Sequence, residues 1–170
     1  MNTQSTDLKE IRKSILTQCY KSGGHIGGSF SIVESLYVLY KYFIAEDKND
    51  FILSKGHAAP GLYAVLRFFN YITEEEYNSY GSFGTKLIHH PSVSINGIKY
   101  SSGALGNGLS VGIGMALANK VAKNNKKVYV VMGDGELNEG TAWEGFMFAG
   151  SKKINNIIAL IDYNKLQSSD

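Results

Sequence analysis

Two short apolar runs of the same character, each ending in a polar loop, constrain this chain more than any other feature. Lys127-Val128-Tyr129-Val130-Val131-Met132 leads into Gly133-Asp134-Gly135-Glu136-Leu137-Asn138-Glu139-Gly140, and Ile157-Ile158-Ala159-Leu160-Ile161 leads into Asp162-Tyr163-Asn164. Runs this short and rich in β-branched residues read as buried parallel strands. A parallel pair needs a crossover, nearly always right-handed, and the residues from about Gly140 to Ile154 can supply its helix. Asp134 and Asn164 therefore leave the sheet at the same edge. Ligands of open α/β sheets bind outside the carboxyl ends of the strands, so an Asp and an Asn thirty residues apart can meet there around one ion. The expected fold is α/β, a parallel sheet flanked by helices.

A length of 170 residues fits one domain with a substantial core. The formal charge of +2 argues against an extended nucleic-acid surface, because neutralising many phosphates calls for clustered Lys and Arg. The one dense basic run, Lys120 to Lys127, alternates with Asn and Ala and reads as a solvated helix end and loop. A single Cys, Cys19, excludes an internal disulfide and suits a reducing compartment; in an apolar stretch it is expected to pack. Met1 to Asp7 are polar and no apolar run reaches membrane-spanning length, so neither a secretory signal nor a span is read, and a cytoplasmic location is expected. The 19 glycines cluster at Gly23 to Gly28, Gly81 to Gly84, Gly103 to Gly114 and Gly133 to Gly150. Clustering of this kind points to tight turns and close backbone approach to something bound.

Along the chain, Asp7-Leu8-Lys9-Glu10 has the form of a capping box, and Leu8, Ile11, Ile15, Leu16 and Cys19 recur at helical spacing, which predicts a first helix ending near Tyr20. Ser22-Gly23-Gly24-His25-Ile26-Gly27-Gly28-Ser29 breaks it, and Ser31-Ile32-Val33-Glu34 opens a second helix carrying Leu36, Leu39, Tyr40 and Phe43. Taken alone, His25 reads as a polar turn residue at a helix start. A strand over Asp50 to Ser54 precedes Lys55-Gly56-His57-Ala58-Ala59-Pro60-Gly61 and a helix from about Pro60 to Phe69; Thr73-Glu74-Glu75-Glu76 repeats the capping-box form. The pair His89-His90 invites a zinc reading. Zinc needs three or four Cys, His or carboxylate ligands, and with one Cys and no second His pair none is expected.

Residues 101–108, Ser-Ser-Gly-Ala-Leu-Gly-Asn-Gly, precede a long helix from Leu109 to about Lys123 with Val111, Met115, Ala118 and Val121 on one face. The glycine spacing does not make a dinucleotide fingerprint, since Val111 stands where the third Gly should fall, and no GxxxxGK[ST] loop is present. Gly112 and Gly114 are expected to allow close packing against the sheet. No repeat, low-complexity segment or linker appears. The chain reads as a single domain over residues 1–170, truncated or completed by a partner chain.

From about Ile11 to Asp170 the sequence resembles the amino-terminal, diphosphate-binding part of transketolases, most closely the separate amino-terminal subunit of two-chain forms. Gly133-Asp134-Gly135 followed by Asn164 matches the thiamine-diphosphate motif, which alone says only thiamine-diphosphate enzyme. Gly24-His25, Leu53-Ser54-Lys55-Gly56-His57-Ala58-Ala59, His90-Pro91, residues 102–108 and Gly135-Glu136-Leu137-Asn138-Glu139-Gly140 point to transketolase within that superfamily. The resemblance implies Mg²⁺ held by Asp134, Asn164 and the carbonyl of Leu166, with Gly135 at the diphosphate. It implies His25, His57 and His90 at the reacting carbons, His57 also facing the cofactor. Gly103 and Leu105 would border the aminopyrimidine, and Glu139 would face a neighbouring protomer's acid in the channel between active sites. The reaction implied is two-carbon ketol transfer from a ketose phosphate to an aldose phosphate. It depends on a Glu in a pyrimidine-binding, carboxyl-terminal subunit that this chain lacks, hence on a homo- or hetero-oligomer, with no nucleic-acid or membrane partner. Deoxyxylulose-phosphate synthases and 2-oxoacid or acetoin dehydrogenases share the motif, and a non-catalytic truncated paralogue would keep it as an assembly module. Departures from the family pattern are Ile26 where Pro is common, Asn107 where Gln is common and His89 where Gly is usual.

Overall fold

The computed structural model describes residues 3–166. The end at Asp170, expected to leave the sheet unfinished, lies outside them. Three parallel strands, β1 (Asp50–Leu53), β2 (Val128–Gly133) and β3 (Ile157–Asp162), lie in the order β1-β2-β3. Val128 pairs with Asp50 on one side and Ile157 on the other, and Gly133 pairs with Asp162. β2 is buried along its whole length, as its unbroken apolar run requires of a central parallel strand.

Side chains of the strands alternate between two cores. Phe51, Leu53, Tyr129 and Val131 face a cluster formed with α1 (Thr3–Ser22), α2 (Ile26–Phe30), α3 (Val33–Val38, continued by a π-helical turn over Leu39–Ile44) and α4 (Ala59–Phe68). Ile52, Val128, Val130 and Met132 face the opposite side, against α6 (Asn107–Val121) and α7 (Gly140–Ser151), while the short helix α5 (Glu74–Asn78) packs on α4 and adds Tyr77 to the first cluster. A period of two on strands and helices on both faces make the doubly covered sheet of an α/β protein. The α7 crossover joins β2 to β3 as expected. Among the described residues no helix is long and apolar enough to cross a membrane.

Several local expectations are corrected. α1 begins at Thr3 and runs to Ser22, so Asp7 lies inside it and caps nothing; its carboxylate accepts the Tyr37 hydroxyl at 2.6 Å. Of the periodic residues, Ile11, Ile15 and Cys19 are buried while Leu16 is exposed. The second capping box is real, with Thr73 and Glu76 exchanging both bonds at 3.1 and 2.8 Å. On α6, Val111 and Met115 are half-buried against the core, while Ala118 and Val121 are exposed. The buried face is Gly108, Leu109, Gly112, Ile113, Ala116 and Asn119. That helix is apolar nearly all round, and its glycines decide which side packs: a Cβ on Gly112 would stand 2.6 Å from Val130 Cγ2. Gly114 faces open space, contrary to expectation.

Gly112→Val should therefore lower stability to chemical denaturation by about 2–4 kcal/mol, through overpacking against Val130 and a β-branched residue in the helix. Gly114→Ala, with no atom in its way, should raise it by up to about 1 kcal/mol.

Candidate functional site

The ends of the three strands bring distant loops together. Beyond β2, Asp134 Oδ1 accepts the N–H of Gly135 at 3.1 Å and Oδ2 accepts the N–H of Lys165 at 2.8 Å. The second bond crosses to the loop after β3. There Asn164 Oδ1 accepts the N–H of Leu166 at 2.9 Å, and Lys165 turns the chain through a left-handed φ of 59°. A cavity of about 220 Å³ opens between Asp134, Gly135, Tyr163, Lys165 and Leu166. Two larger hollows, about 340 and 500 Å³, are lined by none of these residues. Asp134, Gly135, Asn164 and Leu166 thus meet in one place, as their positions after parallel strands require. Among the described residues no three His, Cys, Asp or Glu side chains stand close enough to hold a metal by themselves. An ion here would rest on one carboxylate, an amide oxygen, carbonyls and ligands it brings with it, which is a hard oxygen set suited to Mg²⁺.

The histidines gather around the turn after β1. His25, at the amino end of α2, and His57, in a 3-10 turn over Gly56–Ala58, stand edge to face with ring centroids 5.5 Å apart. Glycine makes this approach possible: a Cβ on Gly28 would lie 2.7 Å from His57 Cδ2. A Cβ on Gly56 would lie 2.9 Å from His90 Cδ2, 2.8 Å from Ser102 Oγ and 3.3 Å from the Gly103 nitrogen. His90 and Gly103 therefore sit against the same turn as His57, and the Ser102 hydroxyl is buried there without a hydrogen-bond partner. Leu105, two residues beyond Gly103, is exposed. His89 is drawn aside by the Tyr80 hydroxyl, 2.9 Å from its Nδ1. Burial above all, then the Lys55 ammonium and the neighbouring His25 and His90, push the His57 imidazole down to about 4.

Two buried charges that sequence reasoning gave no role hold these turns. Lys55, 1% exposed, pairs with Asp162 Oδ2 at 2.5 Å, and the Ser31 hydroxyl donates to the same oxygen at 2.5 Å. This joins the His57 turn to the end of β3 and to the segment after α2. Glu136, also 1% exposed, accepts from Ser54 Oγ at 2.6 Å, Gly106 N–H at 2.9 Å and Gly133 N–H at 2.9 Å. A signal for Glu136 was present in its spacing, three residues after Gly133, the reciprocal half of a capping box. Glu139 is exposed, and its Cβ stands 2.8 Å from where a Cβ on Gly106 would lie.

The family described as transketolase, thiamine diphosphate binding domain, matches residues 8–169. The chain is 42% identical to one subunit of the apulose-4-phosphate transketolase of Phocaeicola vulgatus, over 99% of this chain and 63% of that protein. It is 39% identical to a 6-deoxy-6-sulfo-D-fructose transketolase subunit of a Clostridium species, over 98% of this chain and 66% of that protein. The chain spans less than two thirds of the length of these curated relatives. Among solved structures, the transketolase from Leishmania mexicana superposes with a TM-score of 0.81 at 25% identity, over 92% of this chain and 26% of that one. With almost every residue from Leu8 onward matched, and with parallel strands delivering an aspartate and an asparagine to one edge, the chain belongs to the transketolase family and carries its thiamine diphosphate binding domain.

Proposed function

We propose that this chain is the diphosphate-binding half of a transketolase, holding Mg²⁺ and thiamine diphosphate for two-carbon transfer from a ketose phosphate to an aldose phosphate. The observation that carries the reading is the bond from Lys165 N–H to Asp134 Oδ2, which sets Asn164 and Leu166 beside Asp134. A diphosphate cannot lie against a carboxylate without a cation between them. Asp134, the Asn164 amide oxygen and the Leu166 carbonyl supply oxygen ligands for one, and the Gly135 N–H can reach a phosphate oxygen with no side chain intervening. The unpartnered Ser102 hydroxyl beside Gly103 is a further donor awaiting an acceptor.

When bound, thiamine diphosphate supplies the electron sink for breaking and forming carbon–carbon bonds. His25, His57 and His90 serve the sugar. Three imidazoles around one turn can hydrogen-bond hydroxyls and move protons at the substrate oxygens. His57, kept neutral at physiological pH, can accept a proton at one ring nitrogen while the other donates. Gly103 and Leu105 border the cofactor ring, and Glu139, exposed beside Gly106, faces a neighbouring protomer. No acid for activating the aminopyrimidine is proposed from this chain. We assign that acid to a pyrimidine-binding subunit in an oligomer, in keeping with relatives named as transketolase subunits. We place the protein in the cytoplasm, in carbohydrate metabolism.

Titration calorimetry of the protein with its pyrimidine-binding partner should show thiamine diphosphate binding that requires Mg²⁺. Asp134→Ala should weaken it by about 100-fold or more, about 2.7 kcal/mol; unchanged affinity would remove the clamp. A second measurement follows from His57. Its ring protons should titrate by nuclear magnetic resonance near pH 4, against about 6.5 for an unperturbed imidazole. Between those values an unfolded chain binds the proton and the folded one does not, so this group's contribution to stability falls as pH drops from about 6.5 toward about 4. His57→Gln should flatten that slope. A midpoint at 6 or above would show that burial and the neighbouring charges do not depress this imidazole.

A further inference from the structure

The Glu136 carboxylate is buried, yet none of its three hydrogen-bond partners carries a charge. An ionised carboxylate taken out of water is costly unless donors meet its oxygens, and here they do so on both sides. Oε1 receives the Ser54 hydroxyl and the Gly106 N–H, and Oε2 receives the Gly133 N–H. The three donors are far apart in sequence, and each belongs to a different turn of the site. Ser54 opens the turn that carries His57. Gly106 closes the turn that carries Gly103 and Leu105 and begins α6. Gly133 immediately precedes Asp134.

The glycines around these turns are cut to fit this arrangement. Gly106 has a left-handed φ of 79°, and a Cβ on it would stand 2.5 Å from Thr141 Oγ1. A Cβ on Gly108 would stand 2.4 Å from Ser54 Oγ, the hydroxyl that donates to Glu136. Without side chains at 106 and 108, the start of α6 comes near enough to β1 for one carboxylate to reach both. The clustering of glycine here answers to a protein side chain as much as to a bound ligand.

We propose that Glu136 is a positioning residue of the cofactor site: its buried carboxylate fixes the His57 turn, the Gly103–Leu105 turn and the Asp134 turn relative to one another, and so sets the affinity for Mg²⁺ and thiamine diphosphate without touching either. At 1% exposure it offers no surface to a ligand. The inference rests on the reading of the site given above. A neutral amide cannot replace the carboxylate: in Glu136→Gln an NH₂ group must face either the Gly133 N–H or the Gly106 N–H, and that donor loses its acceptor.

The test uses the full-length protein assembled with its pyrimidine-binding partner, titrated with thiamine diphosphate at saturating Mg²⁺, beside thermal unfolding of the same samples without cofactor. Three variants are compared: Glu136→Gln, Ser54→Ala, which removes one donor and adds no strain, and Val130→Ala, a core truncation away from the carboxylate. We expect Glu136→Gln to weaken binding about 10- to 100-fold and Ser54→Ala about 3- to 10-fold. Val130→Ala should lower the melting temperature at least as much and leave binding within twofold. If Glu136→Gln and Ser54→Ala cost melting temperature but bind within twofold of wild type, Glu136 is a core hydrogen-bond residue only and the proposal fails. Should Glu136→Gln not fold, Ser54→Ala decides in the same way. Wild-type protein that binds no thiamine diphosphate would overturn the reading of the site itself; wild-type binding with unaffected variants overturns this inference alone.

Discussion

The parallel pairing of β2 with both its neighbours is the constraint from which the rest of the structure follows. Because β1, β2 and β3 run the same way, the three loops that leave them emerge together, while the connections that return the chain must cross the faces as helices. The register sharpens this. Gly133 lies opposite Asp162, so Asp134 and the Asn164 loop start from the same level and one backbone N–H can bridge them. The two cores on either side of the sheet hold the strands in that register, since a slip of one residue would exchange Tyr129 and Val131 with Val130 and Met132.

At the open edge the dominant problem is charge in a dry place. Lys55 and Asp162 settle it by pairing, with the Ser31 hydroxyl as a further donor; Glu136 settles it with two backbone N–H groups and a hydroxyl. A buried pair of this kind adds little net stability over apolar packing, because desolvation offsets much of the attraction, whereas breaking it leaves an uncompensated ion. Its effect here is geometric. The ammonium of Lys55 is also one of the reasons that His57 stays neutral, so the same contact that ties β1 to β3 tunes the imidazole two residues away.

What was legible in the sequence was whatever depends on local pattern. The β-branched runs marked both strands, the stretch between them marked α7, and the polar residues just after each strand marked the aspartate and asparagine at the edge. Where tertiary contacts compete with local pattern, the reading failed. Asp7 and Thr73 begin the same capping-box pattern, yet Thr73 caps a helix and Asp7 lies within one, engaged by Tyr37 from another element. The buried face of α6 could not be read from pattern because apolar residues surround that helix, and packing was decided by the missing side chains of Gly108 and Gly112. Glu136 and Lys55 were passed over because a charged residue in a loop reads as solvated, and only the fold reveals the donors and the counter-ion that bury them.

The carboxylate of Asp134 is held at both oxygens by backbone N–H groups, and the amide of Asn164 is held by the N–H two residues on. Neither side chain is free to sample its rotamers, so that freedom is already lost when the chain folds. A cation arriving at this edge would therefore find oxygen atoms already aimed, and little of its binding free energy would go to ordering them. Each of those oxygens has lone pairs left over, but in fixed directions. For the cation proposed at this edge, discrimination between ions of equal charge would then rest on those three backbone bonds as much as on the ligands themselves.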